Sequence, residues 1–161
     1  MEIGGKLISE LADWKSYGPG IGLQTIFNIT KHSGLETGLY FKINPKYYRY
    51  IDGAGIFSGK NFPEKVVQVP LLYRFDSKPI NFTAGLALDY ILNLEKMKKS
   101  SPFGLSPDYF HRLELVSTIS VSKSFYLNKS LVIEPELRAS AFVPQGGGGV
   151  ALNVSLRKMI F

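Results

Sequence analysis

The side chains in this sequence best suited to act as acid or base are two histidines, His32 and His111, and a glutamate pair, Glu134 and Glu136. A Ser–His hydrolase on a strand needs its imidazole and hydroxyl two residues apart on one face, with a carboxylate to orient the ring. His32 is adjacent to Ser33 instead, and His111 is followed by Arg112 and Leu113, so neither has the spacing. Glu134 and Glu136 do share a face, which is compatible with paired carboxylates for acid/base work. Arg138 comes next on that face and Arg112 is expected on the neighbouring strand, so the pair reads as structural ion pairing. Cysteine is absent, which excludes disulfide and thiolate chemistry, and two distant histidines without a clustered carboxylate loop supply no metal-ligand set. The four glycines 146–149 lack the Lys-Ser/Thr of a phosphate-cradling loop and run into a strand, so they read as a flexible loop. No catalytic, cofactor-binding or metal site is expected.

The elements that must position these residues are strands. Helical periodicity is scarce, whereas period-two alternation recurs along the chain between clusters of Gly, Pro, Asn and Ser. Eight segments follow: 2–11, 20–29, 34–44, 65–75, 79–92, 109–123, 130–142 and 149–161. One alternating set in each is apolar, for example Val67, Val69, Leu71, Tyr73 and Phe75, or Ile80, Phe82, Leu86, Leu88, Tyr90 and Leu92. Charges enter that face only near strand ends, at Lys65, Lys123 and Lys158.

The opposite face carries the charges, namely Lys6, Glu36, Lys42, Arg74, Asp89, Arg112, Glu114, Glu134, Glu136 and Arg138. Five are acidic and five basic, and Glu2 and Arg157 near the termini keep the balance. Charges shut inside a small barrel must be paired and hydrogen-bonded, and a balanced set is what such an interior requires. The expected fold is therefore all-β, an eight-stranded antiparallel up-and-down transmembrane β-barrel, apolar outside and filled by an ionic network. Ile26, Val66 and Leu72 also fall on the inner face, so the filling is mixed.

Short connections (30–33, 76–78 and 124–129) alternate with longer ones (12–19, 45–64 and 93–108) until the last, 143–148. That spacing matches an outer-membrane barrel with short periplasmic turns and longer outer loops. Phe27, Tyr73, Phe75, Phe125, Tyr126 and Phe161 would form the inner aromatic girdle. Pro70 and Pro135 fall inside strands that have no free edge, so a bulge or a water-satisfied carbonyl is expected at each.

A chain of 161 residues suits one domain, 1–161. The N-terminus has no apolar signal-peptide core; for an exported protein that means the signal peptide is already removed and Met1 is an added start. The net charge of +6 admits nucleic acid, anionic lipid or simple solubility. Aromatics largely share the uncharged face rather than the basic one, which argues against a nucleic-acid partner.

The run VVQVPLLYRF, a short turn and INFTAGLALDYILN resemble a strand pair of the small outer-membrane β-barrel family of Bacteroidota, the porin-family or PorT-like barrels. SGLETGLYFK is similar to that family's third strand and LVIEPELRAS to its penultimate one. The resemblance implies a fold and an outer-membrane location rather than a task, and it makes Pro70 a family feature. Phe161 resembles the terminal aromatic read by the barrel-assembly machinery, although Arg157, Ser155 and Asn153 hold the positions that are apolar in that signal; a bulge near Lys158 would restore the phase.

The expected function is thus a small integral outer-membrane barrel with a filled interior, serving a structural, surface-interaction or accessory-complex role and not an open porin. Expected partners are outer-membrane lipid, the assembly machinery and another envelope protein. Lys46, Arg49, Lys60, Lys96, Lys98 and Lys99 in the outer loops either meet lipopolysaccharide phosphates or are simply solvated. The rival is a soluble lipocalin-like barrel, in which the same apolar face would line a ligand cavity.

Overall fold

Alternation in sequence becomes alternation in burial. Along β5 (Asn81–Ile91), Asn81, Thr83, Ala87, Asp89 and Ile91 are buried while Phe82, Leu86, Leu88 and Tyr90 are exposed. The structure, a computed structural model, describes residues 1–12, 16–51, 57–96, 111–143 and 148–160, with the side chains of 12, 16, 45–51 and 57–62 left aside. The other strands are β1 (Glu2–Ala12), β2 (Ser16–Asn28), β3 (Ser33–Ile51), β4 (Phe57–Phe75), β6 (Leu113–Ser122), β7 (Phe125–Tyr126), β8 (Leu131–Val143) and β9 (Gly148–Met159).

From β1 to β6 each strand pairs antiparallel with the next in chain order, β8 pairs with β9, and β9 closes onto β1. β6 and β7 both pair with β8, in one continuous register, and together form a single stave. The fold is a closed eight-stranded antiparallel barrel, as expected. Its stagger follows from the pairings. Starting at Glu2 and stepping across partners leads to Ile26, Glu36, Leu72, Gly85, Thr118, Ser140 and Gly149, and arrives at Ala12, ten residues further along β1. At about 3.3 Å per residue and about 4.8 Å between strands, that stagger tilts the strands by about 40°.

Neither proline produces a bulge. Pairing of β6 and β7 with β8 is interrupted opposite Pro135 but resumes in the same register, Ser122 opposite Glu136 and Phe125 opposite Ile133. The Lys123 N–H donates to the Pro135 carbonyl at 3.2 Å, and the return bond is the one proline cannot make. Beside Pro70, β3 and β4 skip the bridges between Thr37–Leu71 and Tyr40–Gln68 without changing register. The Pro70 carbonyl accepts the Thr37 hydroxyl at 2.8 Å, so a side chain takes the place expected for water. No bulge occurs near Lys158 either, since β9 holds its register through Met159. Phe161 lies outside the described residues.

The segment 45–64, expected as a loop, is largely a paired ribbon. β2 accompanies β3 only to Lys42 and β5 accompanies β4 only to Val66, yet the β3–β4 ladder continues to Ile51 opposite Phe57. From Asn44 to Ile51 that ribbon extends about 25 Å beyond the shared wall. Strict apolar alternation stops at Ile43, which is why the sequence reads there as a loop.

The interior is polar and the exterior apolar. Leu7, Leu23, Ile119 and Leu152 are more than 60% exposed, whereas Lys6, Glu36, Glu134 and Arg157 are at most 2% exposed. Ile26, Val66 and Leu72 are buried inside, as anticipated, and Tyr40 joins them. This is the reverse of a lipocalin, whose apolar face points inward. Two inward glycines make room for large neighbours: a Cβ on Gly22 would stand 2.2 Å from the Tyr40 ring, and one on Gly4 would stand 2.6 Å from the Arg157 Cα.

Candidate functional site: a charged interior between two rims

Inward-facing charges sit on every stave except β2, which turns Gln24 and Ile26 inward instead, so side chains from opposite walls meet. At mid-barrel, Glu36 on β3 accepts Lys6 Nζ at 3.2 Å, Tyr40 Oη at 3.3 Å and Arg138 Nη2 at 2.9 Å. β3 and β8 lie four steps apart around the eight-stave ring, so the Glu36–Arg138 pair spans the full diameter. Glu136 binds Arg138 Nε at 2.5 Å and also Lys6, closing a four-membered ring of two acids and two bases. Lys6 and Arg138 lie 5.6 and 6.0 Å from the centroid of the Tyr40 ring, within cation–π range.

Toward the short-turn end, Glu134 is the hub. Arg74 grips it with Nη1 at 2.8 Å and Nη2 at 2.6 Å, a bidentate pairing, and Arg157 Nη2 adds a third contact at 2.8 Å. Ser124 Oγ donates to it at 2.5 Å and Asn81 Nδ2 at 3.2 Å. Arg74 Nε reaches Asp76 at 2.6 Å, and Arg157 Nε lies 2.9 Å from Glu2. Toward the long-loop end, Lys42 bridges Glu10 at 3.1 Å and Asp89 at 3.4 Å, and Gln68 donates to Asp89 at 2.6 Å. Desolvating so many ions is costly. What sustains them is mutual pairing, since removing one partner strands the others.

Nine of the ten residues expected in the network are buried; Arg112 is the correction. It precedes the first residue of β6, so it stands on the rim, exposed, where Nη1 donates to Tyr90 Oη at 3.1 Å and Nη2 to Glu95 at 3.3 Å. The cations expected beside Glu134 are therefore Arg74 and Arg157 instead. The anticipated balance also changes. Among the described residues the buried ions are seven acids, adding Glu10 and Glu64, against five bases, adding Arg157. The acidic surplus lies at the long-loop end, around Glu10, Glu64, Asp89 and Glu114. Glu10 shares a face with Lys6, so alternation alone could have found it, whereas Glu64 was hidden in the presumed loop.

Phe27, Tyr73, Phe75 and Phe125 are exposed near the short turns, where the girdle was expected. Tyr126 is exposed too, but it has the inward parity of its strand and overhangs the barrel mouth. His32 lies in the first short turn, where its N–H donates to Thr30 Oγ1 and its Nδ1 lies 3.3 Å from the Asp76 carbonyl oxygen. His111 is exposed beside the start of β6. At the other rim Lys96 is exposed in a helical turn. The side chains of Lys46, Arg49 and Lys60, all of Lys98 and Lys99, and Gly146 and Gly147 lie outside the described residues.

No protein-family model matches the chain, and no curated protein matches it. Solved structures do. The chain is similar to the N-terminal β-barrel domain of Pseudomonas aeruginosa OprF, with 13% identity, TM-score 0.51, and 97% of this chain and 96% of that one covered. It is also similar to Neisserial surface protein A, with 11% identity, TM-score 0.55, and 99% and 95% covered. At these identities the likeness is one of fold.

Proposed function

We propose that this protein is a small integral barrel of a bacterial outer membrane, in which a side-chain-filled stem holds an exposed rim for a structural, surface-interaction or accessory-complex role. An apolar exterior on every stave is the surface that lipid tails solvate. β1, β5 and β6, of 11, 11 and 10 residues, have the length a tilted strand needs to cross the hydrocarbon. The OprF barrel domain and Neisserial surface protein A, barrels of the same fold, support the same location.

The observation that carries the reading against an open porin is the diametric Glu36–Arg138 pair at 2.9 Å, flanked by Lys6 and Glu136. A lumen crossed by ion pairs at mid-height leaves no continuous water path of porin width. In planar bilayers the purified barrel gives negligible conductance; a stable channel of porin size overturns the reading. The paired β3–β4 ribbon is the surface best placed to meet another envelope protein. Lys46, Arg49, Lys60, Lys96, Lys98 and Lys99 are the cations that lipopolysaccharide phosphates would meet, and Phe161 is the residue for the assembly machinery to read. The protein is not an enzyme on this reading, because His32 and His111 stand in a turn and on a rim, and among the described residues neither imidazole is hydrogen-bonded to a serine hydroxyl.

A further inference from the structure

The short turns gather positive charge around a concavity. Lys31 in the first turn, Lys78 in the second and Lys123 before β7 line a cavity of about 300 Å³ at the short-turn mouth, walled by Tyr126. Lys31 and Lys78 are exposed and form no ion pair with the described residues. Lys123 gives two of its three N–H groups to the carbonyls of Lys78 and Pro79, at 3.0 and 2.6 Å, which fixes its ammonium at the cavity edge.

The acids nearby do not cancel that charge. Asp76 itself lines the cavity, with its carboxylate 2.6 Å from Arg74 Nε, and Glu134 beneath is held by Arg74 and Arg157, so three ammonium groups face one lining carboxylate that already has a partner. Hydroxyl groups complete the lining. Ser77 and Ser124 stand among the lysines, and the Asn81 amide, bonded to Ser124 Oγ at 2.9 Å, ties the cavity to the interior network. The turns are braced as well, since the Asp76 N–H donates to the His32 carbonyl at 2.9 Å. The Ser124 hydroxyl donates to Glu134 and that of Ser77 to the Ile80 carbonyl, so the donors left for a guest are the ammonium groups, and in this half-enclosed, braced cavity they form an anion site of tetrahedral-oxyanion type.

We propose that the short-turn mouth binds a phosphate group, supplied by a free phosphate or by an anionic phospholipid headgroup. The cavity itself depends only on the fold; the lipid source alone rests on the membrane reading above. Backbone amide shifts are recorded on the barrel in a detergent without phosphate, titrated at constant ionic strength with sodium phosphate, and separately with short-chain phosphatidylglycerol or phosphatidylcholine. Saturable shifts at Lys31, His32, Ser77, Lys78 and Ser124 are expected. Binding weakens about tenfold or more in K31Q/K78Q, whereas K129Q, an exposed lysine outside the cavity, binds as the native protein does.

Saturation by phosphate identifies a soluble source, and saturation by phosphatidylglycerol but not phosphatidylcholine identifies lipid; either supports the site. Shifts that fail to saturate, that chloride reproduces, or that survive K31Q/K78Q overturn it. Should the protein prove soluble without detergent, the membrane reading falls while the phosphate titration still decides the site.

Discussion

Glu134 shows how one buried carboxylate organises its surroundings, because two guanidiniums, a hydroxyl and an amide all converge on it. In Glu134→Gln the two arginines keep their charge and lose the buried carboxylate they share, leaving Arg74 to the half-buried Asp76 and Arg157 to Glu2. The expected loss of stability is about 3–5 kcal/mol, read from urea unfolding in detergent micelles; a change under about 1 kcal/mol would contradict it. Gly22 makes a second residue-level prediction. Gly22→Ala drives a methyl group into the Tyr40 ring and is expected to cost about 1–3 kcal/mol. Gly22→Ala/Tyr40→Ala should cost less than the sum of the two single changes, since the ring's share of the clash disappears, while the Leu39 carbonyl and the residue-40 Cα, 2.7 and 2.8 Å from the added methyl, still resist it. The inward charges were legible as residues, because lipid-side positions tolerate so few ions that the other parity stands out. Their partners were not. Arg112 has the right parity but lies one residue outside β6, and alternation cannot see where a barrel wall ends.

Strands 1, 2, 5 and 9 were legible as elements to within a few residues, since the outward parity of each is apolar or small, broken only by Ser9 and Thr25 and free of charge until Lys158. The β3–β4 ribbon was not. Its residues Lys46, Tyr47, Tyr48, Arg49 and Tyr50 lack apolar alternation, because above the apolar belt no apolar solvent selects one parity. Replacing residues 47–61 by Asn-Gly, which sets a two-residue turn between the paired Lys46 and Phe62, should leave the barrel's unfolding free energy within about 1 kcal/mol of native. The same change should abolish capture of any envelope partner in cross-linking of detergent extracts; a collapsed barrel would show that the ribbon is part of the wall. The prolines make the complementary case. Pro135 was visible in sequence, but its effect, the split of one stave into β6 and β7 without a register change, depends on Lys123 across the ladder. Pro135→Val restores a donor for that partner and should stabilise the barrel by about 0.5–1.5 kcal/mol in the same unfolding measurement.

For the whole molecule, closure turns local alternation into two solvents. A ten-residue stagger over eight staves sets a lumen narrow enough for opposing side chains to touch, so acids and bases on facing walls pair across it. Alternation alone left open which face was inside, since a lipocalin-like barrel has the same pattern; closure with Lys6, Glu36 and Arg157 enclosed decides it. The central claim is that the outward parity meets lipid. The chain has no cysteine, so single cysteines can be placed and spin-labelled one at a time along β5 after reconstitution in bilayers. Labels at Phe82, Ala84, Leu86, Leu88 and Tyr90 should relax strongly with lipid-soluble oxygen and weakly with a water-soluble nickel chelate, while those at Thr83, Ala87 and Asp89 respond weakly to both. Strong relaxation of the first set by the nickel chelate would place that face in water and contradict the membrane barrel.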